Sequence, residues 1–225
     1  MLNMQQNVHL ILFDILGYAQ RMKNPDVSLS ARMDILKKLI QSIDRLKQNK
    51  KTDIELCSHM YADNIVLWTP DFSAKGAEYI CFMGSFLFSF MLHVGIPVRA
   101  AVASGEAYMS YDEMIFQGAP IVEAHEGESS QEWLGAIITQ STLSAVGSEI
   151  ESSIYLTKYD VPIKRTAEKQ NLILDWPRIG NYTPKWCLSH LCNADDLQYL
   201  KKEAPESVKP RYNATIEFYK KRSEG

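Results

Sequence analysis

Two acidic residues stand where carboxylates can do chemistry. Asp14 follows the apolar run Val8-His9-Leu10-Ile11-Leu12-Phe13 and precedes Ile15-Leu16-Gly17-Tyr18. Asp63 lies in Tyr61-Ala62-Asp63-Asn64, between strand-like runs at 54–61 and 65–68. An ionised carboxylate among apolar neighbours is costly unless something positive meets it. Two carboxylates delivered by two strand ends suit a hard divalent ion, Mg2+ or Mn2+, with nucleotide phosphates supplying further oxygens. Backbone N–H groups at residues 16–18 would face those phosphates at a helix start. Taken alone, Asp63 reads first as a turn residue, since Asp and Asn bond nearby backbone and tolerate unusual dihedrals.

The elements that must position these acids follow from periodicity. Residues 8–14 form an apolar run that suits a strand covered on both faces. Residues 31–48 place Ile35, Leu36, Leu39, Ile40, Ile43 and Leu46 on one helical face, with Ser28 or Ser30 as cap. The helix predicted over 74–93 carries Phe82, Phe86, Phe88 and Phe90 and is apolar around much of its circumference. A sheet covers one side of such a helix, and a dimer partner is the candidate cover for the other. A strand at 98–105, a hairpin from 106–111 to 114–116, a helix opened by Gly118-Ala119-Pro120, a strand at 135–139, a helix at 142–150 and a strand at 154–159 follow. The leading order, strand-helix-strand-strand-helix-strand, is the split βαβ pattern of an α+β, ferredoxin-like fold. Neighbouring strands lie about 4.8 Å apart, so Asp14 and Asp63 can share a cation.

Composition narrows the function classes. The 225 residues hold 24 Lys and Arg against 27 Asp and Glu, and a net charge of −3 argues against broad nucleic-acid binding. The four cysteines show no C-x-x-C spacing, which removes a zinc ribbon and leaves free thiols. The most apolar stretch, 80–92, is interrupted by Gly84, Ser85 and Ser89 and falls short of the ~20 residues that span a bilayer. No secretory pattern opens the chain. The expectation is a cytoplasmic protein without a membrane or nucleic-acid partner. Neither a P-loop nor a G-x-G-x-x-G fingerprint is present.

Four segments carry a resemblance in order. Phe13-Asp14-Ile15-Leu16-Gly17-Tyr18 resembles the F-x-D-I-x-G-F segment of the class III nucleotidyl cyclases. Tyr61-Ala62-Asp63-Asn64-Ile65-Val66 resembles their second metal-aspartate hairpin. Val98-Arg99-Ala100-Ala101-Val102-Ala103-Ser104-Gly105 resembles R-x-G-I-x-x-G, and Phe116-Gln117-Gly118-Ala119-Pro120-Ile121-Val122 resembles the G-x-x-V-N helix start. The resemblance implies a catalytic domain over 1–160, with 161–225 as a C-terminal extension packed on it. It implies a homodimer with sites at the interface and two Mn2+ or Mg2+ ions per site. Asp14 and Asp63 would bind both ions and the Ile15 carbonyl would add a ligand. Phe13, Ile15, Leu16, Gly17 and Tyr18 would line the nucleotide. The ribose 3′-oxygen would attack the α-phosphorus in line, and diphosphate would leave.

The departures set the expected substrate. The family's transition-state Asn aligns with Val122, its Arg with Glu126, and its adenine-reading Lys with His59. The Tyr-x-Asp-Asn hairpin, Val161-Pro162-Ile163-Lys164 and Asp175-Trp176-Pro177 are similar to segments of compact bacterial cyclases of anti-phage pyrimidine-cyclase defence. That implies UTP turned to cyclic UMP, read by a separate effector. The alternatives are cyclic CMP synthesis, a purine cyclase, or a silent nucleotide-binding module. Tyr61, His59 and Arg99 are candidates to meet the base, and Arg99 or Lys164-Arg165 to supply the missing positive charge. Each has a plainer reading: a strand aromatic, a structural histidine, an edge cation. His125-Glu126-Gly127-Glu128 reads as a solvated helix end.

Overall fold

The computed structural model describes residues 4–18, 41, 53–110, 115–164 and 171–223. Its centre is strand β1 (Met4–Ile15), longer than the apolar run alone suggests. β2 (Cys57–Tyr61) and β3 (Asn64–Thr69) form the hairpin, and β4 (Val98–Ser110) and β5 (Ile115–Gly118) form a second one. β6 (Ala136–Ile138), β7 (Leu156–Lys158) and β8 (Leu172–Leu174) complete one sheet in the order β2-β3-β1-β4-β6-β8-β7, with β5 paired to β4. β1 is antiparallel to both β3 and β4. The β2-β3-β1-β4 order with these directions is the split βαβ frame read from the sequence, and the fold is α+β as expected. The helix expected at 31–48, like Arg165, lies outside the described residues.

Helix α1 (Ala74–His93) begins where Ser73 accepts a hydrogen bond from the Gly76 N–H at 3.3 Å. It packs on β1 so closely that a Cβ on Gly84 would sit 2.7 Å from Ile11 Cδ1. Its outer side is covered by this same chain, which corrects the expectation of a dimer partner there. Trp176 stacks obliquely against Phe88 at 5.3 Å, the Cys192 N–H donates to Ser89 Oγ at 3.0 Å, and His93 pairs with Asp196 at 3.0 Å. These contacts come from a 3-10 segment (Trp176–Tyr182) and from the region of a later helix, Ala194–Glu203.

Helix α2 (Ala119–Ser130) crosses the opposite face, packing on β1 and β4. Gly118 precedes it at φ 151°, and a Cβ there would lie 2.7 Å from Ala107 Cα, so only glycine lets β5 run into the helix. Two short helices follow, α3 (Gln140–Val146) and α4 (Ser148–Glu151), divided at Gly147 where the sequence predicts one. Helices α5 (Ala194–Glu203) and α6 (Lys209–Ser223) close the chain. Thr215 on α6 takes the Leu134 N–H at 2.8 Å, and Arg222 pairs with buried Asp175. Among the described residues no helix is long and apolar enough to cross a membrane.

Candidate active site

The sheet register brings the two predicted acids to one end of the sheet. Asp14 lies directly across from Asn64 on β3 and from Arg99 on β4. The next residue, Ile15, donates its N–H to the Asp63 carbonyl at 2.8 Å. Asp63 is therefore one register step from Asp14, in the turn that leads into the neighbouring strand. It sits in a two-residue turn after Ala62, which adopts φ 52°, and its Oδ1 accepts from the Asn64 amide at 3.2 Å. The side chain of Ile15 is buried, and Phe13 is wholly inside the core. Alternation sends Ile11 toward α1 and Asp14 to the α2 face.

On that face a guanidinium meets the carboxylate. Arg99 Nη2 lies 3.0 Å from Asp14 Oδ2 and 3.1 Å from Glu128 Oε2. Its other terminal nitrogen donates to the carbonyls of Gln131 at 3.1 Å and Ser129 at 3.4 Å, at the C-terminal end of α2. Helix carbonyls at that end carry partial negative charge and favour a cation. The contact to Glu128 Oε2 lacks hydrogen-bond geometry and is an ion pair only. Burial pushes the Glu128 carboxyl well above the carboxylate range. Arg99 pulls against that shift, and the charge and hydrogen bond of Asp14 add to it. Lys164, expected to supply positive charge, faces Glu128 as a lesser influence.

Glu128 was expected on a solvated helix end, yet its side chain is only 2% exposed. The signal is in the sequence at a spacing of four: Pro120, Ala124 and Glu128 are the buried residues of α2. A carboxyl in register with a proline and an alanine on an otherwise polar helix is the inward stripe. By contrast Val122, at 57% exposed, and Glu126 lie on the outer side.

The remaining candidates spread out from this centre. The Leu16 N–H is taken by the Pro97 carbonyl at 2.9 Å, while Gly17, at φ 72°, is exposed at the tip of the turn and Tyr18 is half-buried. Leu16 and Gly17 also wall a cleft of about 300 Å³ with Pro97, Leu200, Arg211 and Tyr212. His59 stacks on Phe116 at 4.4 Å, and burial lowers its pKa. Tyr61 is 74% exposed at the hairpin end.

Among the described residues no three His, Cys, Asp or Glu side chains converge as a ready cluster for a metal. The donor type nonetheless suits a hard cation. Mg2+ is commonly held by one or two carboxylates completed by substrate phosphates, and Asp14 and Asp63 are the carboxylates that the register brings to this end of the sheet. Asp14 already meets a guanidinium, so a divalent ion there must share or displace Arg99.

Comparison with solved structures agrees with this geometry. The fold is similar to that of the adenylyl cyclase CyaB from P. aeruginosa, at 14% identity over 77% of this chain and 95% of that one, TM-score 0.56. It is also similar to the catalytic core of a rhodopsin-guanylyl cyclase with converted specificity, solved with ATPalphaS, at 14% identity over 75% and 93%, TM-score 0.51. A third likeness is to a class III adenylyl cyclase-like ATP-binding protein from Pseudomonas aeruginosa, at 13% identity over 67% of this chain and 37% of that one, TM-score 0.51. No protein-family model and no curated protein matches the sequence. The chain therefore has the class III nucleotidyl cyclase fold.

Proposed function

We propose that the protein is a nucleotidyl cyclase that prefers a pyrimidine triphosphate, converting UTP to cyclic UMP and diphosphate. The observation that carries this reading is Asp14 paired with Arg99, and Asp63 one register step away, at one end of a sheet of this fold. Asp14, Asp63 and the Ile15 carbonyl hold the cations, two per site. Bound there, Mn2+ or Mg2+ supplies the positive charge that acidifies a ribose hydroxyl and steadies the leaving diphosphate. Arg99 lies beside Asp14 and faces the triphosphate from the α2 side, and the exposed Gly17 turn lets backbone approach the phosphates. The 3′-oxygen bonds to the α-phosphorus as the bond to diphosphate breaks, and the hydroxyl proton passes to solvent. Position and fixed charge do most of the work in such a transfer.

The pyrimidine preference is supported by what stands where a purine reader belongs. His59 stacks on Phe116, and Tyr61 is exposed at the hairpin end, so each is available to meet a base. The resemblance to anti-phage cyclases extends the reading to a homodimer with interfacial sites, making a messenger for a separate effector. Residues 1–160 form the catalytic unit in this reading and 161–225 its extension. A second reading, a silent nucleotide-binding module, is favoured by Val122 and Glu126 at the family's Asn and Arg positions and by the likeness to an ATP-binding cyclase-like protein.

Purified protein with each of the four NTPs and Mn2+, read by mass spectrometry, separates these. Cyclic UMP or CMP supports the pyrimidine reading, cyclic AMP or GMP a purine cyclase, and bound but unchanged nucleotide the silent module. Asp14→Asn and Asp63→Asn should each lower turnover by at least about a thousandfold with thermal unfolding retained. Activity surviving either change removes the shared cation site.

A further inference from the structure

Arg99 is already committed, to Asp14 and Glu128 and to the carbonyls of Gln131 and Ser129. A second guanidinium near the same end of the sheet is not. Arg211 stands in the first turn of α6, which holds no acidic residue. It lines the cleft of about 300 Å³ that Leu16, Gly17 and Pro97 also wall. Among the described residues its guanidinium makes no hydrogen bond and no ion pair, whereas Lys209 in the same turn is paired with Glu206. Glu203, the acid that lines the cleft, is exposed at the end of α5. The backbone beneath Arg211 is fixed. Thr215 Oγ1 lies 3.0 Å from the Arg211 carbonyl and accepts the Leu134 N–H at 2.8 Å, and Leu134 is fully buried. A half-buried arginine on a rigid turn, facing a cleft with Leu200 and Val208 on its walls, is a cation waiting for an anion.

We propose that the C-terminal extension supplies a phosphate subsite, in which Arg211 binds the terminal phosphate of the nucleoside triphosphate. The inference rests on the proposed cyclase reading and adds to it a substrate-binding residue from outside the 1–160 unit. The Gly17 turn is the shared wall. It is exposed, stands where phosphates approach the backbone, and also bounds the cleft. Gly17 is three residues past Asp14, so the cleft begins no more than about 11 Å from that acid. The α-phosphorus must lie at the cations held by Asp14 and Asp63, and the rest of the triphosphate leads away from it, past the turn. A guanidinium matches phosphate oxygens with two parallel N–H donors. The N-terminal end of α6 adds partial positive charge at the same place, and the apolar walls strengthen the pairing by lowering the local dielectric.

The test is calorimetric binding, in the presence of Mn2+, of the 3′-deoxy form of the triphosphate that the protein takes, 3′-deoxy-UTP in the proposed reading. That probe lacks the attacking hydroxyl and stays intact. Arg211→Gln should weaken its binding by about tenfold or more. Arg211→Lys, which keeps the charge but not the fork, should recover part of that loss. Mn2+ binding to nucleotide-free protein and thermal unfolding should both stay as in the wild type. A folded Arg211→Gln protein that binds the probe as the wild type does overturns the proposal, as does a Lys variant no better than the Gln variant. An equal loss of Mn2+ binding overturns it too, since Arg211 would then be supporting the cation site. Should Arg211→Gln not fold, the wild type decides. Phenylglyoxal modification of Arg211, read by peptide mass spectrometry, should slow several-fold with the 3′-deoxy triphosphate and not with the matching monophosphate. Modification that the triphosphate leaves unslowed, or that the monophosphate slows equally, overturns the proposal. Wild-type protein that binds no triphosphate and cyclises none fails the cyclase reading itself. A cyclising wild type with an unaffected Arg211→Gln variant fails this inference alone.

Discussion

His9 shows how the core fixes a protonation state. Its Nε2 lies 3.1 Å from the Ser73 carbonyl, which can only accept, so Nε2 carries the hydrogen. Nδ1 then accepts from the Ser104 hydroxyl at 2.7 Å, and the ring stacks on Phe72 at 4.6 Å. Burial lowers its pKa, with hydrogen bonds to Ser73 and Phe72 and the charge of Asp71 opposing. A base with a lowered folded pKa binds fewer protons in the folded state than in the unfolded one. Its contribution to stability is thus fully present above the unfolded pKa of about 6.5 and is lost as pH falls below it. Urea unfolding at about pH 7.5 and about pH 5.5 should show a falling midpoint. In His9→Gln the fall over that interval should be smaller. Asp14 and Asp63 were legible in the sequence because strand ends and a hairpin announce themselves locally. Glu128 was not, because its neighbours His125, Glu126 and Gly127 read as polar surface. What turns it inward is Arg99, distant in the chain and adjacent only once β4 and α2 are packed.

At the scale of elements, α1 was read to its ends, Ala74–His93. Ser73 caps it, and Gly95-Ile96-Pro97 stops it, and both signals are local. Gly76 in its first turn is a strict requirement: a Cβ there would lie 1.9 Å from the Asp71 carbonyl oxygen. Backbone cannot yield as a side-chain tip does. Gly76→Ala should therefore cost about 3 kcal/mol or more, read as a lowered urea midpoint with an unchanged m-value. Replacing Gly84, whose nearest neighbour is the end of the Ile11 side chain, should be milder. In the C-terminal third the closing helices, expected at 195–203 and 208–221, appear as Ala194–Glu203 and Lys209–Ser223, but the parts before them resisted reading for the opposite reason. β8 is three residues long and the 3-10 segments at 176–182 and 185–190 have no apolar period of their own. Their conformations come from what they cover, which no local window contains. The outer cover of α1 was misassigned to a partner because an all-round apolar helix demands burial without naming the burying surface.

For the whole molecule, the third of the chain after residue 160 cannot be peeled away cleanly. β8 stands inside the sheet between β6 and β7, and Trp176, Cys192 and Asp196 lie over or beside α1. Phe218 on α6 is fully buried against Trp133 and Tyr159. Truncation after residue 160 should give protein that is insoluble or binds a hydrophobic dye strongly, while Phe218→Ala in the full chain should cost about 3–5 kcal/mol. A soluble, cooperatively unfolding 1–160 fragment would show the extension to be dispensable.

The central place of β1 has a consequence for synthesis. The strand that carries Asp14 is made before the strands it pairs with, β3 and β4, at residues 64–69 and 98–110. Until those are made, the apolar run Leu10 to Phe13 has both hydrogen-bonding edges open, which is a hazard for aggregation during translation. Recovery of soluble protein should accordingly depend on chaperone supply and elongation rate, more than the stability of the finished fold would suggest.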